Sequence, residues 1–201
     1  VNRGGTGGLG LLTGRWLAQH GARRLLMASR SGALACGTVA KWEAVYATDT
    51  ATSLERCDAG EASHVARLVA VAPSLAGVWH AAGVLADALL PKQTAGGLAR
   101  VYGPKAHGAW TLQRACASTP LRTCALFSSV ASLLGGAGQA NYSAANACLD
   151  ALAASRRALS IASTSVQWGA WAELGMAARG AASKRMAAME AASGFVRIAL
   201  A

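Results

Sequence analysis

The chain has 201 residues, 53% of them hydrophobic, and a formal charge of +10 with a sequence pI near 10.2, which predicts one α/β domain with a substantial core. The basic residues are dispersed and the five cysteines lack C-x-x-C spacing, which argues against a nucleic-acid binder, a disulfide framework and a metal site. No apolar run reaches the roughly 18 residues of a membrane span and no secretory signal opens the chain, so we expect a cytoplasmic protein.

The first predicted element is a glycine-rich loop that leads into a helix. Gly4-Gly-Thr-Gly-Gly-Leu-Gly10 precedes the stretch from Leu11 to His20, whose apolar side chains recur at helical spacing. Such a loop lets backbone amides and a helix N-terminus approach a pyrophosphate, although it also fits a flexible turn before a helix. Only Val1-Asn-Arg3 precede the loop, too few for a full first strand, so we expect an N-terminally truncated fragment.

The next apolar run predicts a strand with a phosphate-binding end. Leu25-Leu-Met-Ala-Ser-Arg30 closes with Ser29 and Arg30 where the second strand of a mononucleotide-binding unit meets the adenosine ribose. An arginine without an acidic residue suits a 2′-phosphate, which favours NADP over NAD. A helix and a third strand are expected between Ser31 and Asp58, but the composition there is irregular and predicts neither clearly.

Short apolar runs alternate with helix-like stretches along the rest of the chain. The runs cover residues 24–28, 75–79, 123–127 and 161–168, and the helix-like stretches cover residues 61–72, 94–117 and 139–158. Unalternating runs of this length are typical of strands buried on both faces. The pattern predicts a Rossmann-like, doubly wound parallel sheet with helices on both sides, in a single domain.

Four residues in the second half of the chain form a pattern suited to hydride transfer. A ketone that accepts hydride develops negative charge on oxygen, so it needs a proton donor and a further hydrogen-bond donor, here Tyr142 and Ser129. A lysine ammonium favours the phenolate, so Lys105 is expected to lower the pKa of Tyr142. If residues 139–157 are helical, Asn146 lies one turn from Tyr142 and can hold a water or the lysine.

The order of the motifs resembles one family closely. GGTGGLG, LLMASRSG, CDAGE, VWHAAGVLAD, GPKAHGAW, LFSSVASLLGGAGQANYSAANACLDALA and VQWGAW follow one another as in the ketoreductase domain of a modular (type I) polyketide synthase, a member of the short-chain dehydrogenase/reductase superfamily. Most of that superfamily has lysine four residues after the tyrosine. Here Asn146 takes that place and Lys105 lies upstream, which is a signature of the polyketide and animal fatty-acid synthase ketoreductases.

The resemblance implies a role for each site residue. Tyr142 is the expected proton donor, Ser129 its partner at the carbonyl, and Lys105 and Asn146 the supporting pair. The implied cofactor contacts are Gly4, Thr6, Gly7, Gly8 and Leu9 for the phosphates, Ser29 and Arg30 for the 2′-phosphate, Cys57 and Asp58 at the adenine, Ala81, Ala82 and Gly83 at the ribose, and Trp168 and Gly169 at the nicotinamide.

The resemblance also implies an activity and partners. The expected reaction is NADPH-dependent reduction of the β-keto group of a β-ketoacyl chain, tethered by phosphopantetheine to an acyl carrier protein, in polyketide or fatty-acid synthesis. A positive surface suits an acidic carrier protein. Other synthase domains of the same polypeptide are further expected partners, residues 1–201 form the catalytic domain, and a lid covers about residues 169–193.

Stereochemistry is indicated by one further motif. Val84-Leu-Ala-Asp87 resembles the Leu-Asp-Asp motif of ketoreductases that give the D-hydroxy product, which predicts B-type reduction.

Alternative functions remain open at this point. A redox-inactive or epimerising domain of the same fold is suggested by Arg3, where the family usually has threonine. A stand-alone fatty-acid reductase would carry Tyr-x-x-x-Lys, which this chain lacks, and a nucleic-acid binder would need clustered basic residues.

Overall fold

A parallel six-stranded sheet forms the centre of the protein. The computed structural model describes residues 1–34, 36–72, 74–176, 178, 183–184, 187–188, 190–191 and 196–199. Within these residues the strands are β1 (Asn2–Arg3), β2 (Arg24–Ser29), β3 (Ala51–Arg56), β4 (Gly77–His80), β5 (Thr123–Ser129) and β6 (Thr164–Trp168). Their order in the sheet is β3-β2-β1-β4-β5-β6. This is the order of a doubly wound Rossmann fold, as predicted.

Helices connect the strands. In the described part of the chain they are α1 (Gly8–Gln19), α2 (Val39–Tyr46), α3 (Ala62–Ala70), α4 (Ala95–Tyr102), α5 (Gly108–Ala115), α6 (Ala131–Leu134) and α7 (Ala140–Ala158), with a 3₁₀ turn at Leu90–Lys92 and a π-helical turn at Gly103–His107. None of these helices is long and apolar enough to pass through a bilayer.

The short strand β1 occupies the middle of the sheet. Asn2 pairs with Met27 of β2 on one side and with Trp79 of β4 on the other. The chain therefore leaves β1 at the point where the strand order reverses. In open α/β sheets, ligands bind in the crevice beyond the carboxyl ends of the strands at this point.

The core lies between the sheet and its helices. Leu26 of β2, Val78 of β4 and Leu126 of β5 pack in one cluster with Val65 of α3 and Leu149 of α7. All of these side chains are buried. Burying a side chain of this size stabilises the fold by about 1.5–3 kcal/mol, so this cluster holds the sheet rigid beneath the crevice.

Most predicted elements are confirmed, with two informative differences. The region after Ser31 that gave no clear prediction forms α2 and the edge strand β3. The predicted continuous helix over residues 94–117 is divided by the π-helical turn at 103–107. Pro104 lies inside this turn and has no N–H to donate, so the ordinary helical hydrogen-bond ladder cannot continue through it unchanged.

Candidate active site

The glycine loop joins β1 to α1 and packs directly on the end of β4. Gly4 has a φ of +78°, and a Cβ atom there would lie 2.7 Å from the carbonyl carbon of Ala81. A Cβ on Gly10 would overlap the carbonyl oxygen of Gly4. Glycine is therefore required at both positions, because only it allows this backbone conformation and this close approach.

A cleft of about 790 Å³ runs beside this loop along the carboxyl ends of the strands. Its lining includes twelve of the predicted cofactor residues: Gly4, Thr6, Gly7, Gly8, Leu9, Ser29, Arg30, Cys57, Asp58, Ala81, Ala82 and Gly83. The volume lies in the range of small-molecule sites, and the cleft starts at a helix N-terminus that favours phosphate. The residues present thus fit a dinucleotide.

The far end of the cleft is formed by the ends of β2 and β3. Ser29 accepts a hydrogen bond from the backbone N–H of Gly32 at 3.2 Å, which folds the turn that carries the exposed Arg30. Asp58 is fixed in turn, since its carboxylate accepts from the backbone N–H of Gly60 at 2.9 Å. Cys57 is buried in the core beside it, consistent with a small apolar side chain. A cation therefore lies at the position predicted for a 2′-phosphate.

A second cavity of about 310 Å³ opens next to the cofactor cleft. Lys105, Ser129 and Tyr142 line it, together with Trp168 and Gly169. The two cavities share the walls formed by Leu9, Ala81, Gly83, Gly175 and Met176. Groups in the second cavity therefore lie next to whatever the cleft binds. Trp168 and Gly169, which were predicted to contact the nicotinamide, line this second cavity and not the cofactor cleft.

Both the side-chain ammonium and the backbone carbonyl oxygen of Lys105 are hydrogen-bonded. Its Nζ donates to the carbonyl oxygen of Phe127 at 3.0 Å and lies 5.3 Å from the ring centroid of Tyr142. Nε2 of the fully buried His80 donates to the Lys105 carbonyl oxygen at 3.0 Å. Burial lowers the pKa of Lys105 from 10.5 to about 8, and the negative charge of Asp150 opposes that shift. The ammonium is therefore fixed against the tyrosine ring.

Tyr142 lies in the first turn of α7, with Asn146 one turn further on. Asn146 Nδ2 donates to the Tyr142 carbonyl oxygen at 2.8 Å. Its buried Oδ1 has no hydrogen-bond partner among the described residues, so an acceptor beside the tyrosine remains available for a water or for an ammonium.

The expected lowering of the Tyr142 pKa is wrong for this structure. Burial raises the pKa of Tyr142, and hydrogen bonding to Asn146 and Ser129 opposes the increase only in part. Desolvation disfavours the phenolate in the half-closed cavity. The hydroxyl is consequently in its protonated, proton-donating form at neutral pH.

Two loops are hydrogen-bonded to each other beside Gln139, which lines the second cavity. Gln139 Nε2 donates to the Asp87 carboxylate at 3.3 Å, and Asn141 Nδ2 donates to the Ala86 carbonyl oxygen at 2.8 Å. The backbone adds a bond from Ala88 N–H to the Gly138 carbonyl oxygen at 2.9 Å. The predicted stereochemical motif is therefore attached to the segment just before Tyr142.

Sequence reasoning missed Gln139 and Asn141. Both lie within three residues of Tyr142 and carry side-chain amides, which is the signal that could have identified them.

The predicted lid is only partly described. Leu174, Gly175 and Met176 line the second cavity, and the rings of Trp168 and Trp171 pack together with centroids 5.5 Å apart. The rest of the predicted lid, over residues 177–193, lies largely outside the described residues.

Arg3 is the last residue of β1, and its side chain is also outside the described part of the chain.

Comparisons with known proteins agree with this geometry. Residues 2–173 match the family described as the KR domain. Polyketide synthase GfsB of Streptomyces halstedii is 44% identical over 186 residues, which cover 91% of this chain and 3% of that protein. The spectinabilin polyketide synthase system protein NorB of Streptomyces orinoci is 44% identical over 177 residues, which cover 86% of this chain and 8% of that protein.

Solved structures show the same similarity. A structure of A-type ketoreductases from a modular polyketide synthase has a TM-score of 0.91 at 36% identity, covering 98% of this chain and 42% of that chain. The first ketoreductase of the tylosin polyketide synthase has a TM-score of 0.83 at 38% identity, covering 96% of this chain and 45% of that chain. The chain thus spans less than half of these ketoreductases. On this evidence the chain belongs to the ketoreductase (KR) domain family of modular polyketide synthases, within the short-chain dehydrogenase/reductase superfamily.

Proposed function

We propose that the protein reduces the β-keto group of a carrier-bound β-ketoacyl chain to the hydroxyl with NADPH. One observation supports this most directly: the cavity that holds Tyr142, Ser129 and Lys105 opens into the glycine-loop cleft. A carbonyl placed in that cavity would lie beside two hydroxyl donors, and the adjoining cleft would hold the dinucleotide. NADPH bound there supplies the hydride.

The chain's own residues then hydrogen-bond to the carbonyl oxygen and supply its proton. The Tyr142 hydroxyl, protonated at neutral pH, donates its proton to the carbonyl oxygen as negative charge develops, and Ser129 donates a hydrogen bond to the same atom. The Lys105 ammonium, held by the Phe127 carbonyl oxygen, stabilises the phenolate that remains. To Asn146, whose buried Oδ1 has no partner among the described residues, we assign the role of orienting a water that returns the proton to Tyr142.

Selectivity for NADPH over NADH is assigned to Arg30 in this proposal. Arg30 follows Ser29 directly after β2 and lines the cleft, and the Asp58 carboxylate at the same end of the cleft is already bonded to the backbone N–H of Gly60. A fixed guanidinium recognises a phosphate by charge and by bidentate hydrogen bonds.

The proposed product is the D-hydroxy, B-type alcohol. Asp87 is the residue that carries this assignment, because its carboxylate accepts from Gln139, which lines the cavity that contains Tyr142. A loop fixed at this place can direct a substrate to one side of the cavity. The proposed partners are an acyl carrier protein with its phosphopantetheine-tethered substrate and other synthase domains of the same polypeptide, and Leu174 to Met176 begin the proposed lid.

The test combines binding, turnover and product analysis. Purified protein is titrated with NADPH by fluorescence, a β-ketoacyl thioester that mimics the phosphopantetheine end is added, and the loss of NADPH absorbance is followed. Binding with turnover is the expected result. Binding without turnover would favour the redox-inactive or epimerising alternative, and chiral analysis that finds the L-hydroxy product would overturn the B-type assignment.

A further inference from the structure

Asp150 is the centre of a hydrogen-bond cluster behind the reaction site. It lies on α7 eight residues after Tyr142, just over two turns further along the helix. Its carboxylate accepts from Ser165 Oγ at 2.5 Å, Ser132 Oγ at 2.7 Å and Gln167 Nε2 at 2.9 Å. One half-buried side chain therefore joins α7 to β6 and to α6.

Ser132 extends this cluster to the residue that faces the substrate. Its hydroxyl lies 2.9 Å from the carbonyl oxygen of Ser129 as well as 2.7 Å from Asp150. A hydroxyl has one proton, so the Ser129 carbonyl oxygen and the Asp150 carboxylate share the same O–H donor. Ser129 Oγ in turn accepts from the backbone N–H of Ala131 at 3.2 Å. The backbone and the side chain of Ser129 are thus both set by the first turn of α6.

The charge of Asp150 strengthens these bonds. Burial by itself would raise the pKa of its carboxyl, but hydrogen bonds from Ser165, Ser132 and Gln167 hold that pKa below its usual value. The carboxylate is therefore ionised at neutral pH. Hydrogen bonds to an ionised acceptor are shorter and stronger than those between neutral groups, so the three elements are joined firmly.

We propose that Asp150 is a positioning residue for the reduction: acting through Ser132, it fixes the turn that carries Ser129 relative to the helix that carries Tyr142. Asp150 touches neither substrate nor cofactor in this scheme. The two hydroxyls that meet the carbonyl oxygen sit on different elements, β5 and α7, and the Asp150 cluster connects those elements behind them. This inference rests on the proposed function, because it assigns the geometry of that same site.

The first test compares Asp150→Asn and Ser132→Ala with two matched controls, Asp49→Asn and Ser118→Ala, which change exposed residues away from both cavities. Each cluster variant is expected to lower kcat about tenfold or more, because a misplacement of about 1 Å can cost on the order of 10²-fold in rate. The dissociation constant for NADPH should change by less than about twofold, since neither residue lines the cofactor cleft. The controls should match the parent.

A double-variant cycle separates positioning from general loss of structure. In a Ser129→Ala background, Asp150→Asn is expected to lower kcat by less than about twofold further, because residues that act as a unit are not additive. A loss as large as in the parent background would overturn the proposal, and so would a kcat for Ser132→Ala within twofold of the parent. Ser132→Ala keeps this test available if Asp150→Asn does not fold.

Hydrogen–deuterium exchange gives a readout that needs no reaction. The amides of Leu133, Leu134 and Gly135 bond within the turn that Ser132 anchors, so both cluster variants should exchange faster there. Unchanged exchange in both variants would overturn the proposal. A parent protein that binds no NADPH, or that reduces no β-ketoacyl thioester, would count against the proposed function instead, while the exchange result still decides whether the cluster holds the turn.

Discussion

At the scale of single residues, the site depends on one hydroxyl that stays protonated. The pKa of Tyr142 is raised by burial, so this group donates rather than accepts a proton at neutral pH. Tyr142→Phe should lower the reduction rate by about 10²–10⁴. NADPH binding should persist, because Tyr142 lines the second cavity and not the cofactor cleft. Tyr46→Phe, an exposed change on α2, is the matched control, and a Tyr142→Phe protein with most of its rate would contradict the assignment.

The buried lysine predicts a pH-dependent stability. The folded pKa of Lys105 is about 8 and the unfolded value is 10.5, so the unfolded chain binds more protons between these values and stability rises with pH across that window. Lys105→Met removes this contribution. The free energy of unfolding of the parent, relative to the variant, should therefore increase by about 3 kcal/mol from pH 8 to 10.5, at roughly 1.4 kcal/mol per pKa unit.

Chemical denaturation across this pH range provides the measurement, with Lys92→Met as the exposed control. Parallel pH profiles for the parent and Lys105→Met would show that Lys105 is not desolvated.

At the scale of elements, the glycine loop and α1 act as one unit. A Cβ on Gly10 would collide with the Gly4 backbone, whereas a Cβ on Gly96 of α4 meets open space. Gly10→Ala should therefore lower the free energy of unfolding by about 1–3 kcal/mol and weaken NADPH binding, because the loop must move. Gly96→Ala should be neutral or stabilising by up to about 1 kcal/mol. Urea denaturation and NADPH titration measure both, and equal stability of the two variants would contradict this view of the loop.

The elements differ in how far the sequence could predict them. Strands β2, β4 and β5 are buried on both faces and therefore appear as apolar runs, which were identified correctly. The edge strand β3 has a half-exposed pattern, so its residues carry no such run and its position was unclear. The π-helical turn was missed because helical periodicity continues on both sides of it.

The site was predictable where chemistry requires particular residue types at fixed separation. Ser129, Tyr142 and Lys105 line one cavity, although they are distant in sequence. Asp150 was not found, because its importance depends on which elements lie next to each other in space, whereas Gln139 lies only three residues before Tyr142 and was overlooked. A carboxylate on a helix usually has only solvent around it, and the positions of Ser132 and Ser165 show that Asp150 instead accepts hydrogen bonds from neighbouring elements.

At the scale of the whole molecule, the cofactor cleft lies along the carboxyl ends of the strands at the middle of the sheet. Ligand binding there should therefore stabilise the whole fold. NADPH at a hundred times its dissociation constant should add about 2.7 kcal/mol to the free energy of unfolding, and NADH at the same concentration should add less. Arg30→Ala should weaken NADPH binding about tenfold or more and reduce this difference, because hydrogen bonds to a charged group contribute about 1.5–3 kcal/mol.

Ligand-dependent thermal unfolding measures this effect, with Arg122→Ala as a control at the start of β5. Equal stabilisation of the parent protein by NADPH and NADH would contradict the 2′-phosphate assignment. It would leave the assignment of Tyr142 untouched, because the two tests address different cavities.

The π-helical turn at Gly103–His107 also constrains how this region can evolve. Val101 before it and Leu112 after it are both buried in the core. Each residue of a helix turns the chain by about 100°, so losing or gaining one residue in the turn would rotate α5 by that angle relative to α4 and expose one of the two side chains. Natural variation here should therefore consist of substitutions rather than insertions or deletions, with Lys105 kept at a constant number of residues from both helices.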